Sequence, residues 1–204
     1  MSYKYIHYAE LSVDHGQHVA SSATNWTEML TTAARMYKYS FDEQLLIHAQ
    51  KPNAVACAEL PTWNRPIGRF VKKGTKGIAL LDDSGDKQKL RYVFDIADTE
   101  EGRYNPKTPY IWQMKPEHEG LVQEALGGTF DEIPMYVATL VQEYVDKNFS
   151  DILNALDRDK DLDTLTDTMT ESATYMIMSR CGIDTSKFLD GAFRHITDII
   201  PLRC

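Results

Sequence analysis

Between Trp63 and Ile78 the chain places Arg65, Arg69, Lys72, Lys73 and Lys76 around Trp63 and Phe70, with no acidic residue. Cations that track phosphates, set beside rings that offer stacking faces, are the chemistry of single-stranded nucleic-acid binding. The candidate nucleic-acid-binding set is therefore Trp63, Arg65, Arg69, Phe70, Lys72, Lys73 and Lys76. On a strand, Arg69 and Val71 face one way and Phe70 and Lys72 the other, so at most half of the set shares a face. A turn at Gly74-Thr75-Lys76 projects Lys73 and Lys76 beyond the sheet and leaves backbone donors free. The same composition also fits a plainer arrangement, with Trp63 and Phe70 as core and the lysines keeping a hairpin tip solvated.

Other chemistries find no motif. The sequence has no His-Glu-x-x-His, no Gly-x-x-x-x-Gly-Lys-Ser/Thr, no Gly-x-Gly-x-x-Gly and no Gly-x-Ser-x-Gly. Asp157, Asp159, Asp161 and Asp163 alternate like the start of a calcium loop. The sixth and twelfth positions are Leu162 and Thr168, where that loop needs glycine and glutamate. His7, His15 and His18 lack a recognised metal spacing with carboxylate support. Cys57, Cys181 and Cys204 are odd in number and widely spaced, which gives neither a disulfide framework nor a metal pair. No catalytic residue, metal or cofactor is expected, and a binding protein is favoured over an enzyme.

The net charge of −8 is unevenly spread. Residues 117–204 hold 7 basic and 17 acidic side chains, a net −10, and residues 1–116 hold 15 and 13, a net +2. A solvated helical face explains the acidic half simply. The sharper alternative is a surface that meets a basic partner or imitates nucleic acid. No stretch has signal-peptide or membrane-spanning length, so no membrane association is expected and the chain reads as soluble and cytoplasmic.

The elements that would hold these residues follow from periodicity. Tyr3 to Ala23 shows no sustained period and suggests an extended arm or short strand. Asn25, with Glu28 three residues on, suggests a capped helix with Trp26, Met29, Leu30, Ala33, Ala34 and Tyr37 on its apolar face. Ser40 with Glu43 repeats the device, and Lys51-Pro52-Asn53 stops the second helix. Ala54 to Ala58 reads as a strand. Arg69 to Lys73 and Gly77 to Leu81 read as a hairpin, Leu90 to Asp95 as a strand, Thr99 to Thr108 as a loop and Tyr110 to Met114 as a last edge strand. Beyond Lys115 the pattern is helical: Pro134 to Lys147 with Tyr136, Val137, Leu140, Val141 and Tyr144 apolar, Ile152 to Leu156 capped by Ser150, Leu162 to Arg180, and Ser186 to Ile200. The expected fold is α+β. A small, mostly antiparallel sheet packed by an N-terminal helix pair forms residues 1–114, and an acidic, all-helical part forms residues 115–204.

A family resemblance sits on these residues. Trp26-x-x-Met-Leu, Tyr39-Ser40, Leu45-Leu46-Ile47, Ala49-Gln50-x-Pro52, Trp63 and Gly68-Arg69-x-Val71-Lys72-Lys73-Gly74-x-Lys76-Gly77-Ile78 together resemble the N-terminal domain of ArdC-type antirestriction proteins. Arg91-Tyr92-Val93-Phe94-Asp95 and Ser179-Arg180-Cys181-Gly182 are similar to tracts in the N-terminal region of large polyvalent helicase–methylase proteins of conjugative elements. The resemblance implies an α+β domain that binds single-stranded DNA, alone or in a nucleoprotein, and protects a mobile element from host nucleases. The zinc-metallopeptidase domain of the antirestriction family has no counterpart here, so a peptidase role is not implied. The alternative is an inhibitor that docks directly on a host nuclease, a restriction enzyme or CRISPR effector, in the manner of an anti-CRISPR protein, through the acidic helical surface.

Overall fold

The computed structural model describes residues 2–85, 87–103, 107–109, 111–156, 162–186 and 191–199. It is a mixture of helices and small antiparallel sheets, as an α+β fold requires. The chain forms two compact units: Met1–His18 with Thr31–Trp112, and Val19–Leu30 with Gln113–Cys204.

In the first unit the N-terminal segment is helical, α1 (Tyr3–Val19), and not an extended arm. Its inner stripe is Tyr5, Tyr8, Leu11 and His15, three to four residues apart. Tyrosine and histidine carry that period, which is why a count of aliphatic residues misses it. The Tyr5 hydroxyl donates to both oxygens of Asp83, at 2.7 and 2.8 Å. Helix α2 (Ala23–Arg35) starts two residues before the expected cap. Ser22 caps it instead: its Oγ accepts the Asn25 N–H at 3.1 Å. Met36 is buried where Tyr37 was expected, because the helix ends at Arg35 and turns Tyr37 to solvent. Helix α3 (Phe41–Gln50) has the expected Ser40–Glu43 capping box, and its buried face is Leu45, Leu46 and Ile47, with Phe41 exposed.

Strand β1 (Cys57–Glu59) leads into a short turn, α4 (Leu60–Thr62). Strands β2 (Arg69–Val71), β3 (Ile78–Asp82), β4 (Lys89–Asp95) and β5 (Thr99–Glu101) follow. The three-stranded sheet has the order β1-β4-β3 and is antiparallel throughout. The expected hairpin across Gly74 does not form, since β3 pairs with β4 and β2 pairs with β5 in a separate two-stranded sheet. Part of the expected loop at 99–108 is thus strand β5. No strand forms at 111–114, and Tyr110 lies outside the described residues. Hydrophobic packing explains the choice: Ile78, Leu80 and Val93 join Leu46, Ile47, Met36 and Ala54 in one core, whereas Arg69 and Lys72 cannot.

Two polar devices finish this unit. The Gln50 side chain accepts the Ala79 N–H at 3.0 Å and donates to the Ala79 carbonyl at 2.9 Å, which blocks the open edge of β3. The fully buried Asp95 accepts the N–H groups of Val55, Ala56 and Ala97. Lys51 reaches Asp98 at 2.7 Å and Asp95 at 3.8 Å. A buried charge held this way is satisfied and structural.

The second unit contains α5 (Glu119–Ala125), α6 (Ile133–Lys147), α7 (Phe149–Ala155), α8 (Leu162–Cys181) and α9 (Ile196–Ile199). The stripe of α6 is Ile133, Val137, Val141 and Val145, which packs with Met178 of α8. Leu140 and Tyr144, expected inside, are exposed. Helix α7 starts before Ser150, which is internal and not a cap. Of the expected last helix, Ile196–Ile199 is α-helical. Val19–Leu30 joins this unit partly through Trp26, whose indole N–H donates to Ser172 Oγ at 3.0 Å. Asp157, Asp159, Asp161, Pro201 and Cys204 lie outside the described residues.

Candidate nucleic-acid interface

Trp63 fixes the local geometry. Its ring is 2% exposed and its indole N–H donates to the Phe94 carbonyl at 2.9 Å. It is a core residue and has no face left for a base. The anchored ring starts a π-helical turn, Trp63–Ile67, that carries Pro66 and closes at Gly68 with φ 72°. The Gly68 N–H donates to the Trp63 carbonyl, and the left-handed backbone there favours glycine. With Trp63 pointing inward, Arg65 is left exposed on the turn.

The chain after β5 returns to this turn. Gly102 N–H donates to the Gly68 carbonyl at 2.9 Å, and Lys107 N–H donates to the Ile67 carbonyl at 2.8 Å. A Cβ at Gly102 would lie 2.6 Å from Cε2 of Phe70 and 2.7 Å from the Gly68 oxygen. Glycine thus lets the Phe70 ring lie against bare backbone, while the ring remains 48% exposed. The result is a cleft of about 320 Å³ lined by Asn64, Arg65, Pro66, Gly68, Phe70, Arg103 and Lys107. Among the described residues, three cations and one half-exposed ring meet there, and no carboxylate lines it. Glu100, opposite Phe70 on β5, is the acidic residue in register with that ring.

The expected set is therefore divided. Arg65 and Phe70 line the cleft. Arg69 is committed elsewhere: it donates to Thr99 Oγ1 at 2.8 Å and to the Thr99 carbonyl at 3.2 Å, and pairs with Glu101 at 3.3 Å. Lys72 donates to the Ala97 carbonyl at 2.8 Å. Lys73 and Lys76 are exposed around Gly74, whose φ is 87°, and do not line the cleft.

Asn64, Arg103 and Lys107 join the site although the motif does not contain them. Two were visible as cations in the polar stretch after β5, and loops are where binding residues collect. Their convergence on Arg65 depends on backbone bonds no composition reveals. The Asn64 Oδ1 is buried and has no hydrogen-bond partner among the described residues.

Other reactive side chains are engaged structurally. Burial, with Asp95 nearby, pushes the Cys57 thiol up to about 12, which keeps it protonated. Burial raises Tyr39, whose hydroxyl donates to the Cys57 carbonyl at 2.8 Å. Arg91 pairs with Glu43 and Glu59. His15 Nε2 lies 2.8 Å from His48 Nδ1, and burial lowers both rings, His15 to about 4. No cluster of three or more His, Cys, Asp or Glu among the described residues could hold a metal ion. No helix among them is long and apolar enough to cross a membrane. No family model, curated protein or solved structure matches the chain.

Proposed function

We propose that the protein is a non-catalytic binding protein that engages single-stranded DNA through the basic cleft and shields it from host nucleases. The observation that carries this reading is the meeting of Arg65, Arg103, Lys107 and the half-exposed Phe70 around one concavity lined by no carboxylate among the described residues. A ring open on one face takes an unstacked base, which a duplex does not offer. The anti-defence role rests on the resemblance of the Trp26 to Ile78 tracts to antirestriction domains. A salt titration of oligonucleotide binding tests the reading. With three cations on phosphates, log affinity falls against log salt with a slope of roughly −2 on a single strand. Absence of binding at low salt refutes it.

A second reading has its own observation. Leu140, Tyr144, Phe149 and Leu153 are exposed on α6 and α7, beside the exposed Glu143, Asp146 and Asp151. Exposed apolar and acidic side chains on the same two helices suit a protein partner with a basic surface, such as the nucleic-acid channel of a host nuclease. Inhibition of a purified nuclease that persists after the cleft cations are neutralised would favour this docking reading over DNA binding.

A further inference from the structure

We infer that the basic cleft takes the phosphorylated end of a strand: one unpaired nucleotide whose terminal phosphate is doubly charged. The inference rests on the nucleic-acid reading above and narrows its ligand. Size comes first. The cleft, about 320 Å³, is at the small end of ligand pockets and has one stacking ring among the described residues. It has room for about one nucleotide, whereas a tract would need several rings in series.

Charge comes second. Arg65, Arg103 and Lys107 supply three positive charges to this single-nucleotide space. An internal phosphodiester brings one negative charge. A terminal phosphate monoester brings about 1.5 to 2 at neutral pH and three acceptor oxygens. Arginine forks match those oxygens in pairs. The cation count thus fits an end better than the middle of a strand.

The base is held by stacking. Phe70 rests on Gly102 and leaves one face to stack. A base stacked on that face must be unpaired, since a duplex keeps its bases in the stack. The cleft therefore selects an unpaired base without strong preference among the four. A strand end held in this way is closed to enzymes that begin at termini.

Fluorescence anisotropy with the full chain tests this. One oligonucleotide sequence, labelled internally, is compared with a 5′-phosphate, with a 3′-phosphate and with hydroxyls at both ends. Thymidine 5′-monophosphate and inorganic phosphate serve as competitors. One phosphorylated end is expected to bind at least about tenfold tighter than the hydroxyl form. The monophosphate should compete more weakly than that strand but better than inorganic phosphate. The Arg103→Gln, Lys107→Gln variant should lose the difference between phosphate and hydroxyl ends, with an unchanged circular dichroism spectrum. Equal binding of all three strands overturns the inference and leaves single-strand binding intact. A phosphate preference that survives in the variant overturns it also, as does inorganic phosphate competing as well as the nucleotide. A free monophosphate that outbinds the strand overturns the assignment to an end. No binding by any strand at low salt removes the inference and the nucleic-acid reading together.

Discussion

The basic cleft and the acidic helical unit use charge in opposite ways. Around the cleft, Arg69 and Lys72 are tied to Thr99, Glu101 and Ala97, while Arg65, Arg103 and Lys107, whose side chains have no partner among the described residues, gather in one concavity. On α6 and α7 the acidic residues lie dispersed on an exposed surface, with Leu140, Tyr144, Phe149 and Leu153 among them. Concavity concentrates a field and suits a small or strand-like ligand. A dispersed acidic and apolar surface suits a protein. The difference shows that the net −8 of the chain says little about what any one surface binds.

The comparison can be broken most forcefully at the two aromatic residues of the basic stretch. Trp63→Ala should cost about 3–5 kcal/mol in urea denaturation, because a buried ring and its hydrogen bond to Phe94 are lost. Phe70→Ala should cost no more than about 1 kcal/mol of stability, since about half of the side chain stays exposed. It should weaken single-strand binding by about 1–3 kcal/mol, measured by anisotropy. If Phe70→Ala destabilised the fold and left binding unchanged, the division between core ring and stacking ring would fail.

A core change in the helical unit gives the reciprocal case. Ile133→Ala should lose about 2–5 kcal/mol of that unit's stability. Strand affinity, measured where the variant is folded, should stay at the wild-type value. Coupled loss of affinity would show that the cleft does not act through its own residues.

The smallest expected effect concerns acid. His15 and His48 share one 2.8 Å contact that only one ring proton can bridge, and His18 and Arg35 add positive charge nearby. Both rings have folded pKa values below the ordinary 6.5. Between about 4 and 6.5 the unfolded chain therefore binds more protons than the folded one, so stability rises with pH across that window. The melting temperature should be level above 6.5 and fall by a few degrees as pH approaches about 4. The decline should be shallower in a His15→Gln variant. A level profile through this range would show that the pair is not held neutral.

Some of this was legible in the sequence. The Ser40–Glu43 box, the stop at Pro52, the strand at Leu90 to Asp95 and the helix from Pro134 rest on local rules, and each appears. The α1 stripe was hidden because tyrosine and histidine pack in it as amphipathic residues. The hairpin at Gly74 was misjudged because a glycine turn names a reversal and not the strand that pairs after it. The sequence marks Arg65 and Phe70, which line the cleft. It also marks Trp63, Arg69 and Lys72, and nothing in their identities tells that a core, a threonine and a carbonyl already hold them. Arg103 and Lys107 enter through the long-range backbone bonds of Gly102 to Gly68 and of Lys107 to Ile67.

Equilibrium binding of one single-stranded oligonucleotide at low salt, by two charge-neutralised forms, tests the central claim most directly. One carries glutamine at Arg65, Arg103 and Lys107, and the other at Lys72, Lys73 and Lys76. The cleft account predicts that the first loses at least about tenfold in affinity and most of its salt slope, and that the second stays within about threefold of the native chain. Loss of binding in the second form with retention in the first would contradict it and return the interface to the Gly74 turn.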